Sequence, residues 1–174
     1  LKLERLAEAR NYTIARARLA NAQDLAGLAL TCAFLLAGGL PWAESLARNT
    51  AAWLGLGDTA TGLIFFALLG LLSFLAALPF DVAGTFGLER RFGFGTTSTA
   101  TFATDRLKTL ALATAIGGPL LAAALWLFGT YGPGAWLACW AVCALALVAL
   151  QHAAPTWLMP LFNSFTPLTP GPLR

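Results

Sequence analysis

Charge is what this sequence has least of. Only 11% of its 174 residues are Asp, Glu, Lys or Arg, against about a quarter in an ordinary soluble domain. With 58% hydrophobic residues and a mean hydropathy of +0.71, that shortage excludes a soluble globule, and it excludes a disordered or collagen-like chain as well. Histidine and cysteine are also scarce, one and three residues respectively. Cys32, Cys139 and Cys143 all fall in uncharged stretches, where cysteine behaves as a small buried hydrophobe, so no disulfide framework is implied. Cys139 and Cys143 are four apart and share a helix face, but no third ligand lies near them in sequence, and packing outweighs a soft-metal site. The basic excess, a net charge of +3 and a pI near 9.1, accompanies six Trp, twelve Phe and long apolar runs. Membrane topology therefore explains it better than nucleic-acid binding, and no nucleic-acid partner is expected.

The few charges cluster. Residues 25–43, 59–80 and 109–173 carry none, and each stretch reaches the roughly 18 to 20 apolar residues that cross a bilayer. Residues 1–23 hold Lys2, Arg5, Arg10, Arg16 and Arg18 with Glu4 and Glu8 four apart, which predicts an amphipathic helix on, or projecting from, the membrane surface. A first span is expected over 25–40, stopped by Gly38, Gly39 and Pro41 with Trp42 at the interface. A connector over 41–58 carries Glu44, Arg48 and Asp58. A second span over 59–78 ends at Pro79. Residues 81–106 form a polar loop with a Thr/Ser-rich patch at 96–101. The last uncharged run is too long for one span, and GTYGPG at 129–134 divides it into spans over 107–128 and 135–160. Gly117, Gly118 and Pro119 should kink the third span, Pro155 and Pro160 should bend or end the fourth, and 169–174 is an extended linker. The fold class expected is all-α, a polytopic membrane helix bundle over 24–168 with about four transmembrane helices, preceded by the amphipathic helix.

Orientation follows from Lys and Arg in the flanks, which number 5, 1, 4, 0 and 1 in chain order. The positive-inside rule then puts both ends and the 81–106 loop in the cytoplasm, and the compartment expected is a bacterial inner membrane. The two helical hairpins differ in connectors and breakers, which speaks against an inverted-repeat transporter. The chain starts at Leu1 with charged, amphipathic residues rather than a signal-peptide core, and it reads as trimmed at the front.

Three separated segments, in order, carry a family resemblance. Leu78, Pro79 and Phe80, followed by Thr85, Phe86, Glu89, Arg91, Phe92, Gly93 and Phe94, form an LP-type helix end leading into an acidic, basic, FGFN-like loop. Asp105 and Lys108 fit the start of the next helix. PTWLMPLFNSFTPL, Pro155 to Leu168, is similar to PTxIxPLFNKFTPL, and YTIARARL, Tyr12 to Leu19, also fits. Together they resemble the membrane-embedded CAAX prenyl protease family of zinc metallopeptidases, in the transmembrane region upstream of its catalytic domain. The resemblance implies a scaffold cut before that domain, with three partners: the lipid bilayer, the protein's own missing zinc peptidase domain, and a peptide or protein substrate. In the family the helices enclose a space that admits the peptide, prenylated in eukaryotes, while a zinc-bound water attacks the scissile carbonyl. Three positions depart from the pattern: Arg90 stands where a second Glu is usual, Gly95 where Asn is, and Ser164 where Lys is.

Zinc chemistry of this kind needs HExxH and a downstream Glu, and the chain has neither motif nor a second histidine. No catalytic or metal residue is expected here, zinc belongs to the intact protein, and the chain alone should hydrolyse nothing. The remaining candidates have structural or substrate-contact roles. For Glu89, Arg90 and Arg91 a solvated loop outweighs contact with substrate or headgroups. Asp105 and Lys108, at i and i+3, suit a mutual helix pair. Gly93 suits a sharp turn that lets Phe92 and Phe94 insert at the interface; a phosphate-binding loop is unsupported. Phe162, Asn163, Phe165 and Pro167, behind Pro155 and Pro160, read equally as a docking segment for the following domain and as a helix-terminating turn. His152 reads as a packing or interfacial residue. Asn11 to Thr13 match the glycosylation pattern, but on the side of the membrane where that machinery does not act. The alternative function is a non-enzymatic four-helix membrane protein, a channel or assembly subunit.

Overall fold

The computed structural model describes residues 2–93 and 95–154, and every regular element among them is helical. α1 is Lys2–Leu36, α2 Gly39–Trp53 and α3 Asp58–Val82, continued by a π-helical segment, Ala83–Glu89; α4 is Thr99–Tyr131, followed by a 3₁₀ turn at Gly132–Ala135 and α5, Trp136–Ala153. The chain divides into two compact units, Leu1–Thr104 and Asp105–Arg174. Among the described residues, three stretches are long and apolar enough to cross a membrane: Ala9–Leu36, Asp58–Glu89 and Thr99–Ala153. The last is 55 residues long and contains both α4 and α5, separated where the GTYGPG signal places a turn; Gly132 there has φ +60°.

Helix is the form such a sequence must take in lipid, because only a helix or a closed barrel satisfies its own backbone polar groups. Hydroxyls in the apolar helices are satisfied the same way. Thr50 Oγ1 donates to the Leu46 carbonyl at 2.8 Å, Ser73 Oγ to Leu69 at 2.9 Å and Thr114 Oγ1 to Leu110 at 2.9 Å, each one turn back along its own helix.

The helices depart from the expected boundaries in four places. α1 runs unbroken through the join expected near residue 24, since Ala and Leu dominate there and no proline intervenes. It ends at Gly38, whose φ of +76° is a left-handed conformation that costs glycine nothing. Pro41 falls in the first turn of α2, where a missing amide is harmless. Pro79 does not end the second span: it lies inside α3, which runs on to Val82 and then through the π-helical segment to Glu89. The polar loop is correspondingly short. α4 begins at Thr99, capped by Ser98, whose Oγ accepts the Thr101 amide at 3.0 Å and so satisfies one of the first-turn donors.

The fourth departure is α2, a 15-residue helix in place of the expected connector. Gly39, Ala43, Ala47 and Ala51, four apart, are its buried face; Ala43 and Ala47 are 0% exposed and Ala51 1%. Such a stripe of small residues lets two backbones approach closely, and close van der Waals contact is what holds helices together in lipid, where apolar burial gives no net drive. α2 packs along α3 and also touches α1. The Phe34 ring occupies the space a side chain at residue 39 would need. α1 in turn runs antiparallel to α3 and the π-helical segment: Leu19 lies where a Cβ on Gly84 would meet its Cδ2 at 3.6 Å, and Tyr12, further back along α1, meets Phe92, further on.

Candidate functional site

The residues that carry the family resemblance gather where α3 ends and α4 begins. The π-helical segment closes wider rings than an α-helix, a geometry concentrated at functional positions, and here it brings Phe86 against Phe102 in the first turn of α4, ring centroids 5.3 Å apart at 63°. The Arg90 guanidinium carbon sits 4.8 Å from the centroid of the Phe86 ring, within cation–π range. Two residues on, Phe92 meets Tyr12 of α1 edge-to-face, 5.5 Å between centroids at 77°. Three helical segments are thus tied by four aromatic rings and one guanidinium. Aromatic pairs of this geometry contribute about 0.5–1.5 kcal/mol each beyond their buried area.

Gly93 has φ +76°, so the sharp turn expected there is present, and it reverses the chain directly after Phe92. Gly95 then passes over Arg90: a Cβ on it would stand 2.9 Å from the Arg90 Cα and 3.0 Å from its amide nitrogen. Two of the three departures from the family pattern, Arg90 and Gly95, are therefore neighbours in space. Glu89 is half-buried and Arg91 exposed. In the second unit Asp105 Oδ1 and Lys108 Nζ are 3.9 Å apart, both about half exposed, and Thr109 Oγ1 donates to the Asp105 carbonyl at 2.8 Å. That is a helix-surface pair of small energetic weight. Phe94, Pro155, Pro160, Phe162, Asn163, Phe165 and Pro167 lie outside the described residues.

The sequence reading did not single out Phe102 as a partner of Phe86, nor Ser98 as the cap, nor the α2 stripe. A signal for the stripe was present in Gly39, Ala43, Ala47 and Ala51 at four-residue spacing. None was present for Phe102, because its contact joins segments 16 residues apart across a π-helical turn that no local pattern announces. Among the described residues no three His, Cys, Asp or Glu side chains come together. The donor set that zinc needs is not among them.

Helices of bilayer length joined by a short polar segment define an integral-membrane helical protein. The family description that matches, over residues 1–164, is the CAAX prenyl protease N-terminal region, with five membrane helices. The chain belongs to this family and corresponds to its N-terminal membrane region. The description counts one helix more than the four spans expected from charge. CAAX prenyl protease 1 of Saccharomyces cerevisiae is 33% identical over 176 residues, covering 96% of this chain and 38% of the relative. The Arabidopsis thaliana homolog is 28% identical over 174 residues, 98% of this chain and 41% of the relative. The crystal structure of S. mikatae Ste24p superposes with a TM-score of 0.86 at 31% identity, over 98% of this chain and 40% of that one. The chain thus spans about two fifths of the length of the relatives it matches. These relatives are eukaryotic and lend no support to the expected bacterial inner membrane.

Proposed function

We propose that this chain is the membrane scaffold of a zinc endopeptidase of the CAAX prenyl protease type, and that its helices wall the space through which a peptide substrate reaches a catalytic domain encoded beyond residue 174. The observation that carries this reading is the aromatic knot built on the family-motif residues Phe86 and Phe92, of which Phe86 meets Phe102 and Arg90 and Phe92 meets Tyr12. Such a knot holds α1, the segment that follows α3 and the first turn of α4 in a fixed relation, which is what a chamber wall requires if a separate domain is to meet substrate at a constant position. The chain binds no metal and performs no hydrolysis by itself in this reading; the zinc-bound water belongs to the following domain.

Reading the gene beyond codon 174 tests it, followed by assay of the full product on a prenylated peptide. An HExxH motif and zinc-dependent cleavage are expected. A reading frame without the motif, or a product that leaves the peptide intact, returns the protein to the non-enzymatic class of channel or assembly subunits. The orientation is part of the same proposal: both ends and the loop around 92–98 face the cytoplasm, and residues 50 and 131 face away from it. Thr50→Cys and Tyr131→Cys in a background lacking the three native cysteines should react with a membrane-impermeant maleimide only from the non-cytoplasmic side; labelling from the cytoplasm reverses the assignment.

A further inference from the structure

The α2–α3 hairpin carries a feature that scaffolding does not use. An open groove of about 780 Å³ runs between the two helices, lined by Leu40, Pro41, Glu44, Ala47, Arg48, Asp58, Thr61, Gly62 and Phe65. Its polarity is graded along α3. Asp58 and Thr61 stand in the first turn of that helix and share the lining with Glu44 and Arg48 of α2, while Phe65, seven residues or about 10 Å further along the axis, shares it with Leu40 and Pro41 at the start of α2. Asp58 also marks the edge of the charge-free run 59–80, so the polar end sits at the membrane boundary and the apolar end within the hydrocarbon.

We propose that this groove seats one glycerophospholipid with a primary-amine headgroup. The rim holds one guanidinium and two carboxylates. Arg48 Nη2 bonds Glu44 Oε1, and both side chains remain mostly exposed, 69% and 59%, which leaves other guanidinium donors to take a phosphate oxygen. Asp58, across the groove on α3, then faces the ammonium group one short linker away. The acyl chains follow Leu40, Pro41 and Phe65 downward. Charge complementarity selects the headgroup: the rim sums to −1, which disfavours a lipid of net negative charge, and a quaternary trimethylammonium offers no N–H to either carboxylate.

The test is native mass spectrometry of the full-length protein, delipidated in detergent and titrated with phosphatidylethanolamine, phosphatidylcholine or phosphatidylglycerol of matched acyl chains. For the unsubstituted protein the first bound lipid should be phosphatidylethanolamine with a preference of about fivefold or more, the scale of one charge-assisted hydrogen bond weakened by solvent. Asp58→Asn should lower that preference to the phosphatidylcholine level, while Arg48→Gln should weaken ethanolamine and choline lipids alike. Equal binding of the three lipids by the unsubstituted protein means annular lipid only and overturns the proposal without recourse to any variant. So does unchanged selectivity in Asp58→Asn with helix content retained by circular dichroism.

Discussion

Replacing Ala47 with Leu should separate the two helices of the α2–α3 hairpin. Ala47 is 0% exposed at the centre of a stripe completed by Gly39, Ala43 and Ala51, so the three added carbons must either part the two backbones or turn into the groove that Ala47 helps to line. Overpacking a close contact of this kind costs about 1–3 kcal/mol. In lipid or detergent no gain from burying the larger side chain offsets that cost, since the apolar surroundings solvate leucine as well as the protein interior does. A loss of that size is about a 5- to 150-fold change in the folded-to-unfolded ratio. Tryptophan fluorescence in a denaturing-detergent titration reads it, because Trp42 and Trp53 both sit on α2. Leu46→Ala on the exposed side of the same helix is the control: at 37% exposure it should move the midpoint little. If Ala47→Leu unfolded at the same midpoint as the unsubstituted protein, the stripe would not be a packing interface and the reasoning would fail.

Phe86→Ala removes both the edge contact with Phe102 and the ring under Arg90, and should cost about 1–2 kcal/mol by the same titration; a change indistinguishable from zero would show the knot to be incidental. Gly95→Asn places a Cβ against the Arg90 backbone, so amide hydrogen exchange should accelerate over 90–98 and stay unchanged in α2, whereas protection equal to that of the unsubstituted loop would refute the close approach. For the segment beyond the described residues, a shift of about 1 Å in how a catalytic domain sits can cost on the order of a hundredfold in rate. If the docking reading holds, Asn163→Ala and Phe165→Ala in the full-length protein should therefore lower turnover while zinc content and membrane insertion stay intact, and full activity in both would leave only a helix stop.

Arg90 illustrates why part of the site was hidden in the sequence. Read linearly it is one of two adjacent arginines in a polar loop, and a solvated role is the natural inference. Its position over Phe86 depends on the helix continuing past Pro79 and widening into a π-helical segment, and on Gly95 clearing the space above it. Asp105 and Lys108 were legible because an i, i+3 pair is set by helix geometry alone. Gly93 was legible for a similar reason, since a left-handed turn after an apolar residue is a local demand that glycine meets.

The sequence by itself determined that this protein is helical, membrane-embedded and a relative of the CAAX prenyl proteases. Those properties rest on quantities that add up along a chain: charge-free length against bilayer thickness, and motif residues in a fixed order. It also pointed to a break near 129–134, and the structure has one at Gly132–Ala135, because Gly and Pro act on the backbone locally. Only the tertiary structure decided that residues 39–53 form a helix, that α3 passes through Pro79, that Tyr12 meets Phe92, and that Phe102 and Arg90 both meet Phe86. Each of these depends on a partner distant in sequence. The alanine face of α2 is favourable only because α3 lies against it, and a proline is tolerated in a membrane helix where the surroundings hold the chain in place. Local pattern carries the energy of a residue's own turn, whereas the energy of a contact exists only after the fold has brought its two halves together.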